Sequence, residues 1–295
     1  IFCLHSCELC SARFPSTTLF RSDGGAGDDS IVATGDEDTL RGGTGADTME
    51  GGADADTFII EDNFGNDVIT GGEGTTDPTD VDFDTVDLSA VSGPITVSFS
   101  QNETGSITDN NDTINFTEIE RIFTTDSKES IEASGDATVL VLNASGGDDT
   151  IKGGQGGDTI LAGAGSGDIS DGEGNDSVDG GAGDDTIQVA QGDTVTGGDG
   201  DDFFNLVDLG ELDTNTITIT GGEGGETNGD TLALNGLHGS NAINIIDPDD
   251  VNGGLSGNVT LIDGTVVNFF NIENIICFVP GTEIATPYGG RIIET

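Results

Sequence analysis

Residues Gly180–Gln188 read GGAGDDTIQ, and residues Gly24–Val32 read GGAGDDSIV. Both follow one nine-residue pattern, G-G-x-G-x-D-x-U-x, in which U is a large apolar side chain. Repetition at a fixed short period is typical of solenoids, because each repeat buries its apolar face only against its neighbours. The chain is therefore predicted to be an all-β solenoid. The same pattern returns at Gly42–Glu50, Gly51–Ile59, Gly153–Leu161, Asp171–Asp179 and Gly197–Asn205.

The apolar residue at position eight and the aspartate at position six recur with the same spacing in two separate blocks of the chain. A flexible linker rich in glycine and aspartate would share the composition, but it would not need this phase. With one two-residue insertion and one single-residue deletion, the apolar residue at position eight recurs every nine residues at Ile31, Leu40, Met49, Phe58 and Ile69, then Ile151, Ile160, Ile169, Val178, Ile187, Val195 and Phe204. An aspartate precedes nearly every one by two residues, and only Gly167 interrupts the series of Asp29, Asp38, Asp47, Asp56, Asp67, Asp149, Asp158, Asp176, Asp185, Asp193 and Asp202.

The spacing of the repeat suits calcium. Glycine allows backbone conformations with positive φ, so six residues can make a tight turn whose carbonyls point inward. Ca²⁺ takes six to eight oxygens at about 2.3–2.6 Å, and one turn offers roughly half that number. Several Ca²⁺ ions are therefore predicted between stacked turns, with the aspartates of position six as metal ligands. Backbone carbonyls near the first glycines of the repeats would complete the sites, at Gly24, Gly42, Gly51, Gly153, Gly180 and Gly197.

The last three residues of the repeat, x-U-x, predict a short strand with U pointing inward. Two repeats then form one coil of about eighteen residues, and coils stack at the strand spacing of about 4.8 Å. Such a roll has a thin apolar core. The free energy of metal binding is therefore expected to be part of the free energy of folding.

Composition supports a metal-dependent fold. The 295 residues include 56 acidic and 7 basic side chains, for a net charge of −49. A chain this acidic would remain disordered unless something cationic neutralised it. Nucleic acid and anionic membranes are poor partners for it, and no apolar run approaches the roughly 20 residues that span a bilayer. A divalent cation is the partner that the charge favours.

The nonapeptides resemble the RTX, or hemolysin-type, calcium-binding repeats. The resemblance implies a parallel β-roll and a protein secreted by a Gram-negative bacterium through type I secretion. It also implies that the chain folds on Ca²⁺ outside the cell and serves as a structural, adhesive or secretion module rather than an enzyme. An extracellular glycan or protein surface is the candidate partner. A secreted hydrolase or toxin whose catalytic domain lies upstream is an alternative reading.

The composition divides the chain into six expected segments. Residues 1–22 differ from the rest and are expected to be a non-native leader. Residues 75–143 and 206–271 lose the glycine–aspartate phase and are predicted to form metal-free β coils, with Gly229–Leu232 as a last repeat that bears an insertion. The two roll blocks are placed at 23–74 and 144–205, and a separate terminal segment at 272–295.

The terminal segment contains a different motif. Ile272–Thr295 reads IENIICFVPGTEIATPYGGRIIET, which resembles the opening block of Hint (hedgehog/intein) domains. The resemblance implies that Cys277, in an intact Hint domain, would attack the carbonyl of Ile276 to form a thioester. The chain would then be an autoprocessing precursor. A buried structural cysteine is the simpler alternative, because buried cysteine behaves as a small apolar residue.

Overall fold

A computed structural model describes residues 2–3, 11–13, 21–72, 82–207, 216–222, 224–237, 243–247 and 254–277. Two compact units make up the chain, Ile1–Ser145 and Gly146–Thr295. The described residues form strands, bridges and turns and contain no helix. None of them therefore forms a helix that could cross a membrane.

The first unit contains fifteen strands among its described residues. They are β1 Phe2–Cys3, β2 Ser11–Arg13, β3 Arg21–Ala26, β4 Ser30–Val32, β5 Thr39–Thr44, β6 Thr48–Glu50, β7 Thr57–Glu61, β8 Asn66–Thr70, β9 Thr85–Ala90, β10 Thr96–Gln101, β11 Thr104–Thr108, β12 Thr113–Thr117, β13 Arg121–Phe123, β14 Ser130–Glu132 and β15 Val141–Asn143. One sheet has the order β1-β3-β5-β7-β9-β13-β15, and the other has the order β2-β4-β6-β8-β12-β11-β10-β14.

The chain alternates between the two sheets of the first unit, which is the topology of a roll. Each strand of a repeat pairs in parallel with the strand one coil later, so that Arg21 lies opposite Thr39 and Ser30 lies opposite Thr48. Thr48 lies opposite Val68, because the two-residue insertion lengthens this coil. The predicted parallel β-roll is confirmed, and the phase of the apolar residues gives its register.

The second unit contains thirteen strands among its described residues. They are β16 Thr150–Lys152, β17 Thr159–Leu161, β18 Asp168–Ser170, β19 Ser177–Ala182, β20 Thr186–Val189, β21 Thr194–Asp199, β22 Phe203–Leu206, β23 Ile217–Thr220, β24 Thr231–Ala233, β25 Asn244–Asp247, β26 Leu255–Thr260, β27 Val266–Ile272 and β28 Asn274–Ile276. Their orders are β17-β19-β21-β23-β27-β26-β25 in one sheet and β16-β18-β20-β22-β24-β28 in the other.

The thin core is built from the apolar residues of position eight. All twelve of them are buried, with exposed fractions between 0% and 3%. Full burial of such a side chain contributes about 1.5–3 kcal/mol. The same strands carry polar side chains outward, as in the buried–exposed alternation of β6 and β19.

Each unit also contains a three-stranded antiparallel excursion where the sequence predicted metal-free β coils. In the first unit β10, β11 and β12 pair antiparallel through Val97, Ile107 and Ile114, all three fully buried. The turn between β11 and β12 is an Asx turn, in which the Asp109 carboxylate accepts hydrogen bonds from the amides of Asn111 and Asp112 at 2.7 and 2.6 Å. A short turn of this kind joins neighbouring strands antiparallel. The region therefore departs from simple coils.

The second excursion, β25-β26-β27, ends in the same motif as the first. Asn115–Ile122 reads NFTEIERI and Asn268–Ile275 reads NFFNIENI, so both fit N-F-x-x-I-E-x-I. The fourth residue of the motif has positive φ in both copies, 58° at Glu118 and 53° at Asn271. The two units therefore share a repeat block followed by an antiparallel excursion with a common ending.

The expected leader is described only in part. Its strands β1 and β2 pair in parallel with β3 and β4, at Phe2 opposite Arg21 and at Ser11 opposite Ser30. The segment boundaries expected from composition, including a leader at 1–22, stay predictions.

Candidate metal centre

The aspartates of position six are inside the roll. All eleven predicted metal ligands have exposed fractions between 0% and 3%. Aspartate is rarely buried to this extent unless it is paired or binds a metal, because removing a carboxylate from water is costly. Their burial makes the partners of each carboxylate oxygen the central question of the site.

One oxygen of each stacked carboxylate accepts a hydrogen bond from the coil before it. In the first unit the amide of Asp29 donates to Asp47 Oδ1 at 2.8 Å, and the amide of Asp47 donates to Asp67 Oδ1 at 2.8 Å. A second series runs from the amide of Asp38 to Asp56 and from Asp56 to Asp84, both at 2.7 Å. We call each such series of stacked carboxylates a ladder.

The second unit contains two ladders of the same kind. The amide of Asp158 donates to Asp176 Oδ1 at 2.7 Å, and that of Asp176 donates to Asp193 Oδ1 at 3.1 Å. In the other ladder the amide of Gly167 donates to Asp185 at 2.6 Å, so the position that lacks an aspartate still takes part as a donor. Asp185 and Asp202 continue it as donors to the next carboxylate, at 2.9 and 2.8 Å.

The second oxygen of several ladder carboxylates has no hydrogen-bond partner although it is buried. Such an oxygen costs free energy unless a donor or a cation meets it, because it has lost its water. Among the described residues, Arg41 pairs instead with Glu61 at the surface, with Nη1 and Oε1 2.7 Å apart. The oxygens in question include Oδ2 of Asp47, Asp56, Asp185, Asp202 and Asp230.

Backbone carbonyls approach the same oxygens beside the first glycine of the repeat. A Cβ placed on Gly180 would lie 2.5 Å from Asp185 Oδ2 and 2.7 Å from the carbonyl oxygen of Gly197. A Cβ on Gly24 would likewise lie 2.8 Å from Asp29 Oδ2 and 2.6 Å from the carbonyl oxygen of Gly42. Any side chain here would collide with the oxygens, which explains why the position is glycine.

The remaining glycines predicted to supply carbonyls lie in the same setting. A Cβ on Gly51 would collide with Oδ2 of Asp56, and one on Gly153 would collide with the carbonyl oxygen of Asp171. Carboxylate and carbonyl oxygens from successive coils thus converge beside the first glycine. A mixed set of hard oxygens is the ligand set that Ca²⁺ prefers.

Burial raises the pKa of several ladder carboxylates, which therefore resist ionisation. It raises the pKa of Asp56, Asp67 and Asp185 to about 7, although the backbone amide bound to each carboxylate lowers it and neighbouring carboxylates raise it again. Burial likewise raises the pKa of Asp202 to about 6 and that of Asp230 to about 8. A stack of charged ladders therefore needs protons or cations to be stable at neutral pH.

Two ladder carboxylates were not among the predicted ligands. Asp84 and Asp230 occupy ladder positions, and burial raises the pKa of Asp84 to about 9. Each then donates its amide to a glutamate, Glu120 Oε2 at 2.7 Å and Glu273 Oε2 at 2.6 Å. The shared N-F-x-x-I-E-x-I motif contains both glutamates, so this motif is the sequence signal from which the two glutamates could have been predicted.

Cys277 lies directly after the last strand, β28. Its thiol is free and half-buried, and burial raises its pKa. A raised pKa reduces the thiolate fraction, which opposes nucleophilic attack in this setting. The rest of the predicted Hint motif, residues 278–295, lies outside the described residues.

Comparison with known families agrees with the position of the ladders. The family model of the RTX calcium-binding nonapeptide repeat (4 copies) matches residues 23–58, 59–75, 141–169, 163–195 and 189–206. These segments contain all eleven predicted aspartates, and the matched family is one of calcium-binding repeats. No curated protein matches the chain.

Proposed function

We propose that this chain, which carries RTX calcium-binding nonapeptide repeats at residues 23–75 and 141–206, is a secreted structural or binding module that folds when Ca²⁺ enters its aspartate ladders. The proposal depends on one observation above all. Buried ladder carboxylates, such as those of Asp47 and Asp185, each keep one oxygen without a hydrogen-bond partner. A cation would satisfy these oxygens and offset the repulsion between stacked charges.

The ligands would come from two successive coils. Asp185 would contribute its Oδ2 and Gly197 its carbonyl oxygen, and Asp29 with the carbonyl of Gly42 would form the equivalent pair in the first unit. Bound Ca²⁺ supplies positive charge and accepts these oxygens as ligands. The other carboxylate oxygen stays on the ladder amide, so that the hydrogen bond holds the side chain in place for the ion.

Metal binding and folding are expected to be one process. The aspartates of one ladder are separated by about one coil of sequence, 18 residues between Asp29 and Asp47, and the extended chain would not hold them together. The free energy of binding therefore becomes free energy of folding. Extracellular calcium modules bind at about 10⁻⁴–10⁻³ M, so the chain would stay unfolded at cytosolic calcium and fold after export.

The proposed role outside the cell follows from the surface that folding creates. Among the described residues, Ile246 and Ile262 expose 68% and 73% of their surface, in and near the second antiparallel excursion. The ladders would keep the sheets assembled, while the outward residues remain free to contact a protein or glycan. The calcium sites thus act on function by stabilising the fold that carries the surface.

The test is far-UV circular dichroism of the full chain, titrated with Ca²⁺ from micromolar to about 10 mM, a range that brackets extracellular affinities. We expect a cooperative gain of β signal with Ca²⁺. Mg²⁺ should fail to reproduce it, because Mg²⁺ demands a smaller octahedral site and loses water reluctantly. A full β signal in the presence of a chelator would overturn the proposal.

A further inference from the structure

One repeat of the second unit departs from the pattern at its first position. Asp171–Asp179 reads DGEGNDSVD, so an aspartate stands where the other repeats quoted above have glycine. In those repeats the place of a Cβ is taken by oxygens, as at Gly180. Asp171 therefore adds a carboxylate at the place where other turns gather their oxygens.

Asp171 belongs to a group of three buried carboxylates. Asp176 is position six of the same repeat, and Asp193 is the next carboxylate of its ladder. One oxygen from each of the three side chains lies within 4.8 Å of the others. Their exposed fractions are 1%, 2% and 0%, so the group is closed to solvent.

The carboxylate oxygens of Asp171 suit a cation in this group. Its Oδ1 accepts a hydrogen bond from the amide of Gly172 at 3.0 Å, whereas its Oδ2 is buried with no hydrogen-bond partner. Burial, followed by the charges of Asp193 and Asp176, raises the pKa of Asp171 well above its ordinary value. Three carboxylates kept this close in a dry interior repel one another unless positive charge lies between them.

Backbone amides already hold the other two carboxylates. The amide of Asp158 donates to Asp176 Oδ1 at 2.7 Å. The amide of Asp176 donates to Asp193 Oδ1 at 3.1 Å, and the amide of Ala190 donates to Asp193 Oδ2 at 2.6 Å. Asp193 is therefore fixed in position. Asp171 brings one more formal charge than the ladder turns that begin with glycine.

We propose that Asp171, Asp176 and Asp193 form a three-carboxylate calcium site that binds more tightly than the other turns of the chain. The affinity of calcium sites rises with the number of charged ligands and with the rigidity of the site. This inference rests on the proposed function, because it requires the roll to bind Ca²⁺. It goes further by assigning a ligand, Asp171, that the repeat pattern does not supply, and by ranking the sites.

The test is competition for Ca²⁺ between the full chain and a chromophoric chelator, with the Asp171→Gly variant. This substitution restores the residue that the repeat prefers, so the variant is expected to fold in calcium like its neighbours. We expect the tightest site to weaken at least tenfold, which corresponds to about 1.4 kcal/mol. Asp179→Asn is the matched control, because it removes the same charge from an exposed position of the same repeat.

The outcomes separate this inference from the proposed function. If Asp171→Gly keeps its calcium-driven β signal and its tightest site stays within twofold of the parent chain, the inference is wrong and the proposed function stands. An equal loss in Asp179→Asn would also overturn it, because net charge alone would then explain the effect. If Asp171→Gly does not fold in calcium, Asp171→Asn replaces it. If the tightest calcium site of Asp171→Asn keeps the affinity of the parent chain, the inference is wrong.

Discussion

Neutralising a single ladder carboxylate should change the stability of the roll with opposite sign in the presence and absence of calcium. Asp185→Asn keeps the shape of the side chain and the oxygen that accepts the amide hydrogen of Gly167 at 2.6 Å. It removes the charge of Oδ2, which is buried without a hydrogen-bond partner and faces the carbonyl oxygen of Gly197 beside Gly180. The variant therefore loses a proposed calcium ligand and gains an amide that can donate to that carbonyl.

The size of the effect follows from the calcium linkage. A calcium concentration of about 10 mM is about ten- to hundredfold above a dissociation constant of about 10⁻⁴–10⁻³ M. A site with this dissociation constant contributes about 1.4–2.7 kcal/mol to the free energy of unfolding. We expect Asp185→Asn to lose up to this amount in calcium. Without calcium it should be no less stable than the parent chain, because a buried charge has been removed.

Urea unfolding at about 10 mM Ca²⁺ measures the loss in calcium, and the gain of β circular dichroism on acidification in chelator measures the effect without calcium; Asp184→Asn is the control. Asp184 is exposed, and its Oδ1 accepts the amide hydrogen of Asp201 at 2.9 Å, which asparagine can also do. The control changes net charge equally and should stay within about 0.5 kcal/mol. Equal destabilisation by the two variants would refute the ligand assignment, because it would show that only the overall charge matters.

Three other predictions test the physics of the fold. Burial raises the pKa of ladder carboxylates such as Asp84, to about 9. A carboxyl group whose pKa is raised in the folded state contributes to stability at low pH, and this contribution is lost as the pH rises through the folded-state pKa. Acidifying the calcium-free chain from about pH 9 to pH 4 should therefore increase its β circular dichroism, and an unchanged or falling signal would contradict this reasoning. Ile187→Ala should lower the free energy of unfolding, measured with urea in the presence of Ca²⁺, by about 2–5 kcal/mol because the side chain is fully buried. Ile262→Ala, at a 73% exposed position, should change this free energy little. Gly43→Ala should destabilise the fold more than Gly25→Ala in the same assay. The two glycines have similar φ values, +104° and +97°, but of the two only Gly43 would place its Cβ against a backbone carbonyl, that of Gly25. Equal losses of stability would refute an effect of coil stacking.

The roll could be predicted because its two signals are local in sequence. The nine-residue phase of Ile151, Ile160 and Ile169 identifies the inward side of their strands, and all three side chains are fully buried. The single-residue deletion before Val195 also gives the altered register, in which Val178 lies opposite Val195. Register follows from sequence here because each coil pairs with the next one along the chain.

The ends of the ladders could not be predicted in the same way. Asp84 lies 28 residues after Asp56 in its ladder, and Glu120 lies 36 residues after Asp84. A search at a period of nine misses these partners, since the intervening sequence loses the glycine–aspartate phase and the chain between Asp84 and Glu120 contains antiparallel strands. The hydrogen bonds between ladder amides and carboxylates also depend on stacking distance, which composition does not encode.

Asp171 illustrates a different limit. Its repeat follows the sequence pattern from position two onward, but the pattern does not identify the aspartate at position one as a ligand. Only the structure brings its carboxylate together with those of Asp176 and Asp193, in a group within 4.8 Å. The departure from consensus is informative because the glycine position has no room for an ordinary side chain.

Amide hydrogen exchange in the full chain, measured during a calcium titration, tests most directly whether metal binding is the folding event. The amides of Asp47 and Asp185 donate to the next ladder carboxylate at 2.8 and 2.9 Å, so they report the stacking of coils in the two units. We predict that both become protected only as Ca²⁺ binds, with the same midpoint as binding itself. Protection of these amides in chelator at neutral pH would contradict the account, because the coils would then stack without their cations.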